Sequence, residues 1–150
     1  MTSQEKKEYL KQVTNVDRRI NYLIKELEKE NERRGKLLNI SVNYERDGST
    51  NGSHANGTEN KFINIIEIDE YIEDINEEIN CLYQVKRKIK QIINLVPNAL
   101  QREILYRKYM LDEKPEKIWT SINYSDRQFW RLHGKALQNI NVSQNGTVCH

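Results

Sequence analysis

Arg127, Gln128 and Arg131 stand close together near the C-terminal end of the chain. Their side chains carry the donor and acceptor pairs that match base edges in a nucleic-acid groove. A guanidinium fork fits the two acceptors of guanine, and a carboxamide fits the donor–acceptor pair of adenine. Lys114, Lys117, Ser125, His133 and Lys135 surround them with groups suited to phosphate oxygens, contacts that position a protein without reading sequence. Arg107 and Lys108 are weaker candidates of the same kind. Trp130 and Tyr124 could stack on sugar or base, although aromatic residues at such spacing more often pack on neighbouring helices. No other chemistry emerges. The chain has no Gly-rich phosphate loop, no metal-ligand spacing, and no Ser or Cys with a base partner. The expectation is therefore no enzyme, no catalytic residue, no cofactor and no metal.

These residues need a rigid support, and the apolar pattern of residues 97–140 supplies one. Leu100, Ile104, Leu105 and Tyr109 share a face of a helix over about 98–110. A second helix starts near Asp112–Pro115, with acids in its first turn and Pro early, where its missing N–H costs nothing. It turns Ile118, Trp119 and Ile122 inward. Asn123-Tyr124 make the turn. Ser125 then caps a third helix over about 126–139, with Gln128 completing a capping box. Phe129, Leu132, Ala136 and Leu137 are its core face, leaving Asp126, Arg127, Gln128, Arg131 and Lys135 outward. Two short helices, a tight turn and an amphipathic second helix are the requirements of a helix-turn-helix.

Upstream, residues 4–38 place Tyr9, Val13, Val16, Ile20, Leu23 and Leu27 in alternating four- and three-residue steps, continued by Glu30, Arg34 and Leu37. Residues 61–96 repeat the pattern through Ile65, Ile68, Ile72, Ile75, Ile79, Leu82, Lys86, Ile89, Ile93 and Val96. Both are heptad seams. Phe62, Ile66, Tyr71 and Ile92 widen the second stripe, and Lys86 interrupts its seam as a snorkelling register-setter. Pro97 ends that helix. Between the seams, residues 39–60 hold three glycines and five asparagines with little apolar content. They are expected to be a flexible connector, and residues 141–150 a disordered tail. Pairing the two seams within one chain brings Arg33, Arg34 and Lys36 near the acidic start of the second helix, and the Lys86–Lys90 run near Glu5 and Glu8. An antiparallel hairpin is the preferred reading. A coiled coil with a second copy remains compatible with it.

The expectation for the whole is an all-α chain: a hairpin over 1–96, then a DNA-binding domain over 97–140. Net charge is only +2 and decides nothing. Its distribution is more informative, because residues 61–80 carry seven acids and one base whereas residues 100–137 carry eight bases and five acids. Basic charge gathering at one end is the footprint of phosphate contact. Cys81 and Cys149 lack metal spacing and read as reduced thiols of a cytoplasmic protein. No apolar run reaches membrane-spanning length, and the N-terminus lacks a signal-peptide core. The Asn-x-Ser/Thr sequons at Asn39, Asn51, Asn56, Asn141 and Asn145 read as chance in an Asn-rich chain.

The stretches LQREILYRKYM (Leu100–Met110), KPEKIWTSINYS (Lys114–Ser125) and RQFWRLHGKAL (Arg127–Leu137) together resemble the region-4 helix-turn-helix of the sigma-70 family. More closely, the chain resembles the ArpU/RinA-type late transcriptional regulators of phages infecting low-GC Gram-positive bacteria. The likeness covers about 40 residues at motif level and is architectural elsewhere. Two positions depart from the family pattern: Trp119 stands where a small residue is usual, and Asn123 where Gly is usual. The resemblance implies a phage or prophage late-gene activator that binds double-stranded promoter DNA beside host RNA polymerase, with the paired helices serving protein contact or homo-oligomerisation. Two rivals make different predictions. A small-terminase-like packaging protein would form rings and bind a packaging site. A non-DNA adaptor for polymerase or a sigma factor would show little salt-dependent DNA affinity.

Overall fold

The computed structural model describes residues 1–46 and 55–142. Every regular element among them is helical. Helix α1 spans Ser3–Arg46 and α2 spans Ala55–Asn94. Helix α3, Ala99–Leu105, runs into a π-helical turn at Tyr106–Met110, and α4 (Pro115–Ser121) and α5 (Asp126–Gln138) follow. No helix is long and apolar enough to cross a membrane.

Most of the heptad residues become buried, although Tyr9, Leu27, Ile72 and Leu82 are half-buried and Leu10, beside Tyr9, is fully buried. Val13, Val16, Ile20 and Leu23 of α1 and Ile65, Ile68, Ile75, Ile79, Ile89 and Ile93 of α2 are all buried. The seam weakens where the sequence substitutes polar residues, for Glu30 and Arg34 are only half-buried. The expected connector is shorter than its composition suggested. Residues 39–46 continue α1 and residues 55–60 open α2, so backbone hydrogen bonding extends helix into Asn- and Gly-bearing sequence of low propensity. The rest of that connector, 47–54, lies outside the described residues, as does most of the expected tail, 143–150. Asn141 and Val142 are described, and Val142 packs against the core. Cys81 is disulfide-bonded, against the expectation of a reduced thiol.

Two compact units emerge, and their limits differ from the boundary expected at residue 96. One comprises Ile20–Asn80. Within it Arg34 pairs with Asp69 and the Tyr71 hydroxyl donates to Glu26, two of the contacts that tie α1 to α2 there. The other comprises Met1–Arg19 and the chain from Cys81 onward. Its largest core gathers Leu10 and Val13 of α1, Ile89 and Ile93 of α2, Leu105, Tyr109 and Met110, and Ala136, Leu137 and Ile140. Each large aliphatic side chain removed from water there stabilises by about 1.5–3 kcal/mol before entropy is counted. Lys86 is half-buried and does not meet Glu5 or Glu8. Its ammonium donates to Asp17 at 2.7 Å, while Glu8 pairs with Lys11.

Local chemistry sets the ends of the short helices. The Asn98 side chain accepts from the Gln101 amide at 3.0 Å and starts α3. Arg102 donates to the carbonyls of Val96 and Pro97, fixing the corner after α2. The π turn is closed by Leu111 N–H donating to the Tyr106 carbonyl. Its Arg107 donates to Glu113 at 2.7 Å and to the Ser121 hydroxyl at 2.6 Å, so it holds the turn against the start and end of α4. Asp112, with φ of 52°, makes the bend between them; Asp tolerates this region because its short polar side chain can bond locally.

Candidate nucleic-acid interface

The geometry of α5 follows from its entry. Helix α4 ends with Tyr124 N–H donating to the Trp119 carbonyl at 2.9 Å and Asn123 N–H donating to the Thr120 carbonyl at 3.3 Å. This pair of bonds is a Schellman motif, which needs a left-handed residue in its middle. Asn123 supplies it with φ of 58°. Ser125 then closes the capping box: its hydroxyl accepts from the Gln128 amide, and the Gln128 side chain accepts from the Ser125 amide at 3.0 Å. Ile118 and Phe129 pin the two helices together, both fully buried with Ile104. Trp119 is half-buried and sits edge-on to Phe129 at 5.7 Å, enlarging the contact between the two helices.

With α5 so oriented, Arg127, Arg131 and Lys135 are all exposed. They lie four residues apart and so form one stripe along the helix. Lys114 and Lys117, at the start of α4, are exposed as well. Gln128 is exposed too, but its side-chain oxygen is committed to the cap, as is the Ser125 hydroxyl. Arg107 is bound into its clamp with Glu113 and Ser121 and is not a free surface cation.

His133 requires a correction. It was expected at the surface as a phosphate donor, and it is buried, with 2 % of its surface exposed. Its Nε2 lies 2.9 Å from the Tyr109 hydroxyl. Its ring stacks on Tyr109 and Phe129 and meets Trp130 edge-on. Burial, helped by the nearby charges of Lys108 and Lys7, pushes its pKa down to about 4. Burial also raises Tyr109, to about 12. Both groups are therefore neutral at ordinary pH, and His133 is a core residue. The sequence held the signal: 129, 133, 136 and 140 follow helical spacing, and the three neighbours of His133 in that series are apolar.

Two features escaped the sequence. Lys6 reaches from α1 to the end of α5, its ammonium donating to the Leu137 carbonyl at 2.9 Å and the Gln138 carbonyl at 3.4 Å. A cation on the unpaired carbonyls of a helix C-terminus is favourable. The buried Gln101 likewise receives Asn139 at 2.8 Å and ties α3 to the same end. The charge balance of the units also differs sharply. The unit made of Met1–Arg19 and the chain from Cys81 onward carries 17 basic and 8 acidic residues; Ile20–Asn80 carries 7 and 14. Their net charges are +9 and −7. Among the described residues, no group of three or more His, Cys, Asp or Glu side chains could hold a metal ion.

Comparison with protein-family models, with curated proteins and with solved structures found no match for this chain.

Proposed function

We propose that this protein is a sequence-specific DNA-binding transcriptional regulator. In this reading the chain is an antiparallel helical hairpin followed by a helix-turn-helix similar to sigma-70 region 4. Helix α5 enters the major groove, Arg127 and Arg131 read bases, and Lys114, Lys117 and Lys135 hold phosphates. The observation that carries the reading is the combination at α5: a capped helix, fixed by the Schellman turn at Asn123, with an exposed Arg127–Arg131–Lys135 stripe. The net charge of +9 on the same unit supports it, because phosphate neutralisation supplies most of the affinity of such proteins for DNA.

Gln128 takes a secondary place among the readers, since a base contact through its oxygen would compete with the cap. The resemblance to ArpU/RinA-type regulators extends the proposal to activation of phage or prophage late genes alongside host RNA polymerase. Exposed Phe62, Ile63 and Ile66 on α2 offer an apolar surface for a second copy.

The test is binding of the full chain to fragments of its source genome over a salt series, beside an Arg127→Ala/Arg131→Ala variant. Site-selective, salt-sensitive binding lost in the variant is expected. Each lost bidentate base contact should cost about 1–3 kcal/mol of discrimination. Absence of binding at low salt would overturn the proposal, and selection of a packaging site by ring-shaped oligomers would transfer it to the packaging class.

A further inference from the structure

The first turns of α1 belong, in sequence, to the heptad helix, yet in the fold they are part of the unit that carries α5. The Lys6 bonds to Leu137 and Gln138 anchor them there, and Leu10 and Val13 join the core with Ala136, Leu137 and Ile140. From there Lys7 and Lys11 act electrostatically on Lys108 of the π turn. Lys108, on that turn, lies half-buried with its ammonium 5.4 Å from the Tyr109 ring and 5.4 Å from the Trp130 ring. Trp130 is itself exposed over 44 % of its surface and adjoins Arg131 in sequence.

Charges of both signs act on this ammonium, and the two cations outweigh Asp112. Burial lowers the Lys108 pKa, and Lys11 and Lys7 lower it further; Asp112 acts in the opposite sense without reversing the shift. The same Lys108 and Lys7 charges weigh on buried His133. Glu8 is the other carboxylate in the neighbourhood, and it pairs with Lys11 across an exposed 3.3 Å contact of little energetic weight. The Lys108 ammonium beside exposed Trp130, with Lys7 and Lys11 acting on it from the anchored start of α1, makes a surface that an external anion would relieve.

We infer that Lys7, Lys11 and Lys108, with Trp130 beside them, continue the DNA-binding surface from α5 onto the start of α1 and contact the phosphate backbone there. The inference rests on the DNA-binding reading above and extends it, because it gives the N-terminal helix a share in the nucleic-acid contact. Cations so placed neutralise phosphates without reading bases, and each contact releases bound counterions. Trp130 offers a flat apolar edge to the sugar, and its ring already accepts the Lys108 ammonium.

The experiment measures binding of the full chain to a random-sequence DNA duplex across a potassium chloride series. It compares the wild type with Lys7→Gln/Lys11→Gln and with Lys25→Gln/Lys29→Gln. The latter pair removes the same charge from exposed positions of α1 in the other unit. The K7Q/K11Q variant is expected to lower the magnitude of the slope of log affinity on log salt by about 1.8, at roughly 0.9 per lost phosphate contact. The K25Q/K29Q variant should leave the slope unchanged. Adding Lys108→Gln should lower it by about 0.9 more, circular dichroism confirming that each variant is folded. A wild type that binds with a slope K7Q/K11Q does not alter, or that K25Q/K29Q alters equally, overturns the inference while leaving the DNA-binding reading intact. A wild type that fails to bind even at low salt overturns both.

Discussion

The neutral, buried imidazole of His133 makes stability depend on pH in a calculable direction. In the unfolded chain the ring titrates near 6.5, and in the folded protein burial and the charges of Lys108 and Lys7 hold it at about 4. As pH falls below 6.5 the unfolded state takes up a proton that the folded state refuses. The stability contributed by the neutral ring is therefore complete above the unfolded pKa and is lost as pH falls toward the folded one. A tenfold difference in proton affinity between the two states corresponds to about 1.4 kcal/mol. The loss is then about 2 kcal/mol between pH 7 and about pH 5, and about 3 kcal/mol by pH 4. With 2 % of the residue exposed, solvent screening does not erode this figure much. The assay is urea unfolding of the wild type and of His133→Gln at stepped pH. Glutamine keeps an acceptor for the Tyr109 hydroxyl but does not titrate. Carboxylates and the two remaining histidines are common to both proteins, so the difference between the two pH profiles isolates His133. The wild type should lose about 2 kcal/mol more than the variant on going to about pH 5. Parallel profiles, or an imidazole NMR titration near 6.5 in the folded protein, would refute the reasoning.

Two further perturbations test the supports of the site. Asn123→Ala should destabilise by about 1 kcal/mol in thermal or urea unfolding, because a Cβ-bearing residue without a local polar bond resists the φ of 58° found there; no loss would remove the conformational argument for the α4–α5 turn. If exposed Phe62, Ile63 and Ile66 seat a second copy, sedimentation should show a self-associated wild type that Phe62→Glu/Ile66→Glu converts to monomer, and a wild type already monomeric at high concentration would refute that surface as a self-association site.

Much of this arrangement is legible from residue types and spacing. Alternating four- and three-residue steps mark Val13, Ile20, Ile68, Ile75 and Ile89 as core, and they are buried. Ser125 and Gln128 form the predicted capping box, and Asn123, placed in the turn by the sequence, takes a left-handed conformation. These are local features, decided within one or two turns of chain. What escaped depends on contacts between distant segments. Composition cannot show that Lys6 would meet carbonyls 131 residues away, or that Arg107 would be held between Glu113 and Ser121 rather than left at the surface. Lys86 is half-legible: its polar intrusion into the seam is plain, but its partner Asp17 depends on the register of two helices. His133 is a different kind of miss. Its spacing placed it on the buried face, and only its polar type argued otherwise.

The distribution of charge bears on the strongest objection to a nucleic-acid role, a net charge of +2 over the whole chain. An average over 150 residues is the wrong quantity, because ionic screening confines the field felt by a phosphate to about 8–10 Å at physiological salt. The unit that carries α5 has a net charge of +9, and Ile20–Asn80 one of −7. The acidic residues of Ile20–Asn80 would repel a phosphate backbone, which disfavours binding along that part of α1 and α2. Near-neutrality of the whole is thus compatible with strong local attraction, and it leads to a directional expectation. Removing acids from exposed positions of Ile20–Asn80 should raise non-specific DNA affinity at low salt and lower selectivity, whereas removing cations from α5 or the start of α1 should weaken binding. A net-charge argument predicts only that both sets of changes shift affinity in the same sense as total charge; the structural one predicts in addition that Arg127→Ala/Arg131→Ala lowers selectivity, whereas loss of cations at the start of α1 weakens binding to all sequences alike.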